Sequence, residues 1–305
     1  MKPLKVTILD LVSNKPTRRL YSRVMKANFS SIMPQAIGVW CEELGHEVRY
    51  LCYTGFEEFD NDLLENTDVL FIGAFTLSAQ AAYAISALFR RHGAVTVLGG
   101  PHGRCYPEDA ALYFDYVLGL TDQAVVAEVL ADRGRHRPLG RQLTAEKQPE
   151  HLPGLRQRWK FVEATIIAKA PAFKLIPMIG STGCPYTCNF CIDSVIDYQT
   201  LGFDQVRDDL AFLLTRVKRP RVAWHDPNFG VRFDDFLSAI EESVPAGRID
   251  FLAESNLSIL SEPHLKRLKK NGFIGILPGI ESWNDLGHKS NSGATTGIEK
   301  VRQVA

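Results

Sequence analysis

The sequence carries no net charge, with 35 Lys and Arg balancing 35 Asp and Glu over 305 residues. No overall field therefore gathers nucleic acid or anionic membrane to this chain. An uninterrupted apolar run long enough to span a bilayer is missing, and Met1 leads at once into a strand-like run rather than a secretion signal, so no membrane span and a cytoplasmic location are expected. Repeats beyond a strand-helix period and low-complexity tracts are also lacking. Cysteine is scarce, six in all. Cys41, Cys52 and Cys105 are scattered through apolar or glycine-rich contexts and read as buried thiols of a reducing compartment. What is present, 45% hydrophobic and 23% charged residues, is an ordinary globular composition at a length that favours two domains.

The remaining cysteines are the most informative feature. Cys184, Cys188 and Cys191 lie in the run CPYTCNFC, so one short loop supplies three thiolates. An electron-carrying iron-sulfur cluster normally takes four cysteines, and a cube of four irons held by three keeps one iron open to chemistry. Zinc closed by a distant histidine such as His225 is the alternative use of the same thiols. A disulfide fits less well, because three closely spaced cysteines cannot all pair.

In the first half, apolar runs at 6–12, 46–53, 69–75, 94–99 and 116–120 read as buried strands. Helical patterns at 31–44, 57–66, 78–92 and 107–114 separate them. This alternation predicts a doubly wound, Rossmann-like parallel sheet over 1–132, with ligands bound beyond the carboxyl ends of its strands. Residues 133–157 carry proline, glycine and charge without periodicity, and a helix is expected over 158–169, so 133–173 reads as a linker with a helix. Alternation resumes over 174–305, with strands at 174–180, 221–225, 250–254 and 273–279 and helices at 203–217, 233–243, 262–271 and 297–304. These four strand-helix units predict a partial TIM-like barrel whose site lies at the carboxyl ends of the strands, where the cysteine loop falls. Other strand ends there are polar: Asp226 and Asn228 after the second strand, Glu254 and Asn256 at the third, Glu281 and Ser282 after the fourth. Each also has a bland reading as a turn or helix cap. His225 ends an apolar strand and reads as structural, and Trp224 and Trp283 read as packing residues.

The CxxxCxxC spacing, with Phe190 directly before the third cysteine, resembles the radical S-adenosylmethionine superfamily. The resemblance covers about 174–304 and implies a [4Fe-4S] cluster on Cys184, Cys188 and Cys191. It further implies that S-adenosylmethionine chelates the open iron and is cleaved to a 5'-deoxyadenosyl radical, with electrons from an external flavodoxin- or ferredoxin-type donor. The Gly-Ile-Glu-Ser stretch ending at Ser282 is similar to the superfamily's fourth-strand element. Asp226 stands where relatives bind the cofactor's amino group, although Asp-Pro-Asn-Phe departs from their Gly-Gly-Glu pattern.

A doubly wound domain ahead of such a barrel resembles the cobalamin-binding domain of one large subfamily. The residues that carry this likeness are Thr76 and Ser78 after the third strand and the pair Gly99 and Gly100 after the fourth. Paired glycines admit a bulky ligand tail, and hydroxyls can bond its nucleotide loop. The loop from Asp10 to Pro16 departs from the pattern that presents a histidine to cobalt, and Phe75 stands where the related pattern has serine. Lys15, Arg18, Arg19 and Arg23 read as a solvated basic loop.

The expected function is a cobalamin-dependent radical S-adenosylmethionine enzyme, a methyltransferase acting on an unactivated carbon of a small molecule. Alternatives are a cyclisation or rearrangement, a radical enzyme whose first domain is empty, and a zinc-stabilised interaction protein. Superfamily barrels usually have six strand-helix units, so a chain with four is expected to be a fragment of a longer one.

Overall fold

The computed structural model describes residues 2–12, 30–55, 57–168, 174–279 and 302. The chain divides into two compact units. One comprises Met1–Pro149 with Gln157–Lys174, the other Glu150–Arg156 with Leu175–Ala305.

The first unit is built on six strands: β1 (Lys5–Leu11), β2 (Glu47–Tyr53), β3 (Val69–Ala74), β4 (Val95–Gly99), β5 (Tyr116–Leu118) and β6 (Arg141–Leu143). They run parallel in the order β2-β1-β3-β4-β5-β6. The chain steps from β1 to β2 in one direction and from β3 onward in the other, so the strand order reverses between β1 and β3. That switch point opens a crevice beyond the carboxyl ends, where Asp10 registers with Gly73. Leu9, Leu11, Leu70, Ile72, Leu98 and Phe114 are nearly or fully buried in its core, and complete burial of each stabilises the fold by about 1.5–3 kcal/mol.

Caps set several helix starts. Asp60 accepts from the Leu63 N–H at 2.8 Å to open Asn61–Glu65. Asp122 accepts from the Val125 N–H at 2.9 Å to open Gln123–Asp132, a helix that the periodicity did not mark.

Three expectations need correction. The segment 133–157 is not structureless, because Arg141–Leu143 adds β6 to the sheet edge. A five-residue helix, Pro101–Cys105, precedes Pro107–Ala111 and ends on Cys105, which is exposed; only Cys41 and Cys52 are buried. Asp10 belongs to β1 rather than to the loop after it.

The second unit holds β7 (Leu175–Met178), β10 (Arg221–Trp224), β11 (Asp250–Asn256) and β12 (Phe273–Gly279), parallel and in chain order. Helices Phe203–Arg216, Phe233–Ser243 and Glu262–Lys270 connect them. Between β7 and the first of these lies an antiparallel pair, β8 (Ser181–Thr182) and β9 (Gln199–Thr200), which encloses the cysteine loop. Of the fourth expected helix, 297–304, only Arg302 is among the described residues, and it is helical. The core is aromatic: Phe229 packs on Phe236 at 4.7 Å, Trp224 on Phe236 at 5.6 Å, and Phe251 on Phe273 at 5.1 Å between ring centres. Trp224 is thus a packing residue, and Trp283 lies outside the described residues.

Candidate functional site

The chain leaves β7 at Met178, forms β8 and turns through Gly183 into the loop that bears Cys184, Cys188 and Cys191. All three thiols are free and partly exposed. Gly183 has φ +67°, and a Cβ there would stand 2.3 Å from the Asp197 carbonyl oxygen and 2.6 Å from that of Ile196. Only glycine permits both the left-handed backbone and this approach. The Cys184 N–H donates to the Ile196 carbonyl at 3.2 Å, the Cys191 N–H to the Cys188 carbonyl at 3.1 Å, and the Ser194 hydroxyl to the Cys191 carbonyl at 2.7 Å. Burial raises the Cys184 thiol above its ordinary pKa, and the neighbouring Cys191 and Cys188 add to the rise.

Among the described residues, no three His, Cys, Asp or Glu side chains converge to hold one metal ion. A four-iron cube takes its thiolates at separate corners rather than on one atom, so the donor chemistry is the more direct test. Three free thiols from one loop meet it. Thr182 Oγ1 and Trp224 Nε1 are buried with no hydrogen-bond partner among the described residues, while the Tyr198 hydroxyl lies against Ser181. Thr182 belongs to β8, which leads into the loop, and Trp224 ends β10 within the aromatic core.

The structure brings the expected polar residues to the same carboxyl ends but gives them different environments. Asp226, just past β10, is 1% exposed. Its carboxylate accepts from the Gly180 N–H at 3.2 Å and from the Ser181 hydroxyl at 2.5 Å. Burial pushes its pKa up to about 7 against the lowering effect of these donors. Asn228 is buried, and its Oδ1 accepts from the Gly230 N–H at 3.1 Å and the Ser255 hydroxyl at 3.2 Å, tying the loop after β10 to β11. Glu254 is exposed and Asn256 half-buried. Glu281 and Ser282 lie outside the described residues. Ser181 and Ser255 were missed by sequence reasoning; each adjoins a residue it singled out, but a lone serine carries no signal of its own.

At the carboxyl ends of the first sheet, Gly100 has φ +89°, and an added Cβ would meet the Ala74 backbone N and O at 3.0 Å. The ends of β3 and β4 approach closely there. A Cβ on Gly99 would meet nothing within 4 Å, so open space lies against that backbone. Thr76 is exposed and begins a short 3-10 turn, Thr76–Ser78, while Ser78 is buried and makes no side-chain cap bond. Phe75 and Leu77, beside Thr76, and Tyr106 are exposed apolar side chains.

Behind them runs a chain of hydrogen bonds that no motif announced. The Tyr83 hydroxyl donates to Asp109 Oδ2 at 2.5 Å, so His102 Nε2 donates to Tyr83 Oη at 2.6 Å. His102 Nδ1 is then the acceptor facing Thr76 Oγ1 at 3.4 Å. Burial lowers the His102 pKa, and the neutral ring has both nitrogens engaged. Asp10, at the crevice, accepts from the Ser31 N–H and hydroxyl and the Tyr50 hydroxyl, and burial raises its pKa to about 6.

Fold and site together define an α/β protein of two parallel-sheet units, one of which carries a three-thiol loop at its strand ends. The chain matches no family model. It is similar to a bacteriochlorophyllide d C-12(1)-methyltransferase of Chlorobaculum tepidum, 25% identical over 259 residues that cover 81% of this chain and 56% of that protein. It is also similar to a bacteriochlorophyllide d C-8(2)-methyltransferase of the same organism, 29% identical over 250 residues that cover 78% and 55%. The chain thus spans about half the length of these curated relatives. No helix among the described residues is long and apolar enough to cross a membrane.

Proposed function

We propose that this chain is the cofactor-binding and radical-generating part of a C-methyltransferase acting on a small molecule. The observation that carries the reading is the three-thiol loop at the carboxyl ends of a parallel sheet, in a chain similar along most of its length to carbon methyltransferases. Cys184, Cys188 and Cys191 would hold a [4Fe-4S] cluster. Asn228, Glu254, Asn256 and, beyond the described residues, Glu281 and Ser282 would face S-adenosylmethionine. Thr76, Ser78, Gly99 and Gly100 would receive a corrin tail, with open space at Gly99 and the apolar side chains of Phe75 and Leu77 alongside. When bound, these groups would supply reductive cleavage of S-adenosylmethionine and a carrier for the methyl group.

The protein's own residues position and shield. The engaged nitrogens of His102 leave it a support for Thr76 rather than a ligand. Asp226, tied to Gly180 and Ser181, works beneath the loop. An external electron donor of flavodoxin or ferredoxin type completes the reading.

Anaerobic reconstitution with iron and sulfide tests it. A paramagnetic resonance signal that S-adenosylmethionine perturbs, and a corrin retained through gel filtration, are the expected results. Zinc in place of iron, or a signal indifferent to S-adenosylmethionine, overturns the reading.

A further inference from the structure

We propose that Asp226 is a positioning residue for the cysteine loop: its buried carboxylate pins the turn at Gly180 and Ser181 from which the loop springs, and so sets where the three thiols stand. The inference rests on the cluster reading above and goes beyond it, because the residue acts on the protein's own backbone rather than on a cofactor.

The loop's base is held on several sides, and the Tyr198 hydroxyl lies beside Ser181 and Asp226. On one side the Leu201 N–H donates to the Gly180 carbonyl at 2.8 Å, and β8 pairs with β9 through Ser181 with Thr200 and Thr182 with Gln199. At the exit, Gly183 and the bond from the Cys184 N–H to Ile196 close the neck. Toward the helix Phe233–Ser243 there is no room, since a Cβ on Gly180 would lie 2.3 Å from Phe236 Cε1. A further side is Asp226, whose two oxygens both face the Gly180 N–H at 3.2 Å and one of which takes the Ser181 hydroxyl at 2.5 Å.

No ion pair reaches Asp226 among the described residues, so a carboxylate is buried against neutral donors alone. That is a costly way to hold a turn. Two acceptor oxygens on a short, rigid side chain fix the direction of a turn as well as its hydrogen bonding. Ser181 is fully buried, three residues before the first cysteine, so a displacement at the turn is delivered to the thiols with little chain to absorb it. Groups that hold a ligand-bearing element in place typically change metal affinity by about 10- to 100-fold when removed.

The test compares the full chain with Asp226→Ala, Asp226→Asn and Ser181→Ala after anaerobic reconstitution with iron and sulfide. It reads the rate of iron loss to a ferrous chelator, the paramagnetic resonance line shape of the reduced cluster, and the melting of each apo form. Asp226→Ala is expected to release iron about 10-fold faster with an altered line shape, and Ser181→Ala to shift the rate in the same direction by less. Asp226→Asn keeps an oxygen that accepts from Ser181 but turns an NH2 donor toward the Gly180 N–H, so it is expected to fall between wild type and Asp226→Ala in rate. Release from Asp226→Ala at the wild-type rate overturns the proposal. If that variant does not fold, wild-type release from Ser181→Ala does so. A wild-type chain that takes up no iron would sink the cluster reading and this inference with it, whereas an intact wild-type cluster indifferent to Asp226→Ala sinks this inference alone.

Discussion

Replacing Gly183 by alanine probes the neck of the cysteine loop and has a matched control. At φ +67° an L-residue pays a conformational penalty of roughly 1–2 kcal/mol. The new Cβ would also stand 2.3 Å from the Asp197 carbonyl oxygen, and that atom is backbone, so the neck itself must open. Overpacking of this kind costs about 1–3 kcal/mol more, for a total of about 2–5 kcal/mol. Gly247, in the same unit, has φ +74° with nothing within 4 Å of an added Cβ. Its alanine variant carries the conformational penalty alone, about 1–2 kcal/mol. Urea titration of both variants, read by tryptophan fluorescence with Trp224 in the unit's core, gives the two losses. Iron release from the reconstituted protein shows whether the excess reaches the thiols. A Gly183→Ala chain no less stable than Gly247→Ala, with iron held as in wild type, would refute the reasoning that a closed neck shapes the loop.

Asp115 is fully buried in the first unit, where it pairs with Arg90 at 3.1 Å and accepts from the Thr96 N–H at 2.9 Å. Its replacement by alanine leaves the Thr96 N–H without this acceptor and takes the counter-ion from Arg90 and Arg137, Arg90 keeping only the Tyr113 carbonyl among the described residues, and is expected to cost about 3–5 kcal/mol in denaturant titration; a loss below 1 kcal/mol would contradict the buried pair. Asp10 has its pKa raised by burial from 3.8 to about 6, so the folded chain holds its proton longer than the unfolded one. Stability is then greatest below the lower value and falls as pH rises through the upper. Asp10→Asn is expected to flatten that part of a stability-versus-pH curve, and an unchanged slope would count against it. Glu241 shifts the other way, to about 2, chiefly through its hydrogen bond from Arg267. Its contribution is present above the ordinary carboxylate range and lost as pH falls toward 2. Because the pair is partly exposed, added salt weakens it; Arg267→Ala should remove both the acid loss and its salt sensitivity.

The strands were legible where burial on both faces makes them continuous apolar runs, as in Val6, Ile8 and Leu9 of β1 or Leu70 to Ile72 of β3. Edge strand β6 was not, because two of its three residues are exposed and no run announces it. Cys105 lies between Arg104 and Tyr106, two residues after Gly103, and its place at the end of a short helix exposes it. In the candidate site, three thiols at fixed spacing were legible since the cysteines of one loop are neighbours in sequence. The Tyr83 to His102 bond spans 19 residues and the Ser181 to Asp226 bond 45, and no local pattern carries such pairs.

By itself, then, the sequence determined the two parallel sheets and the spacing that sets three thiols in one loop at the strand ends. These follow from apolar periodicity and short-range spacing, which act along the chain. Only the tertiary structure decided which polar groups remain open once the chain is folded. Asp226 gives its oxygens to the base of the loop, His102 gives both nitrogens to Tyr83 and Thr76, and Thr182 and Trp224 keep polar atoms without a partner among the described residues. The physical reason is that a hydrogen-bonding group is available to a ligand only to the extent that packing has not already satisfied it, and packing joins residues far apart in sequence.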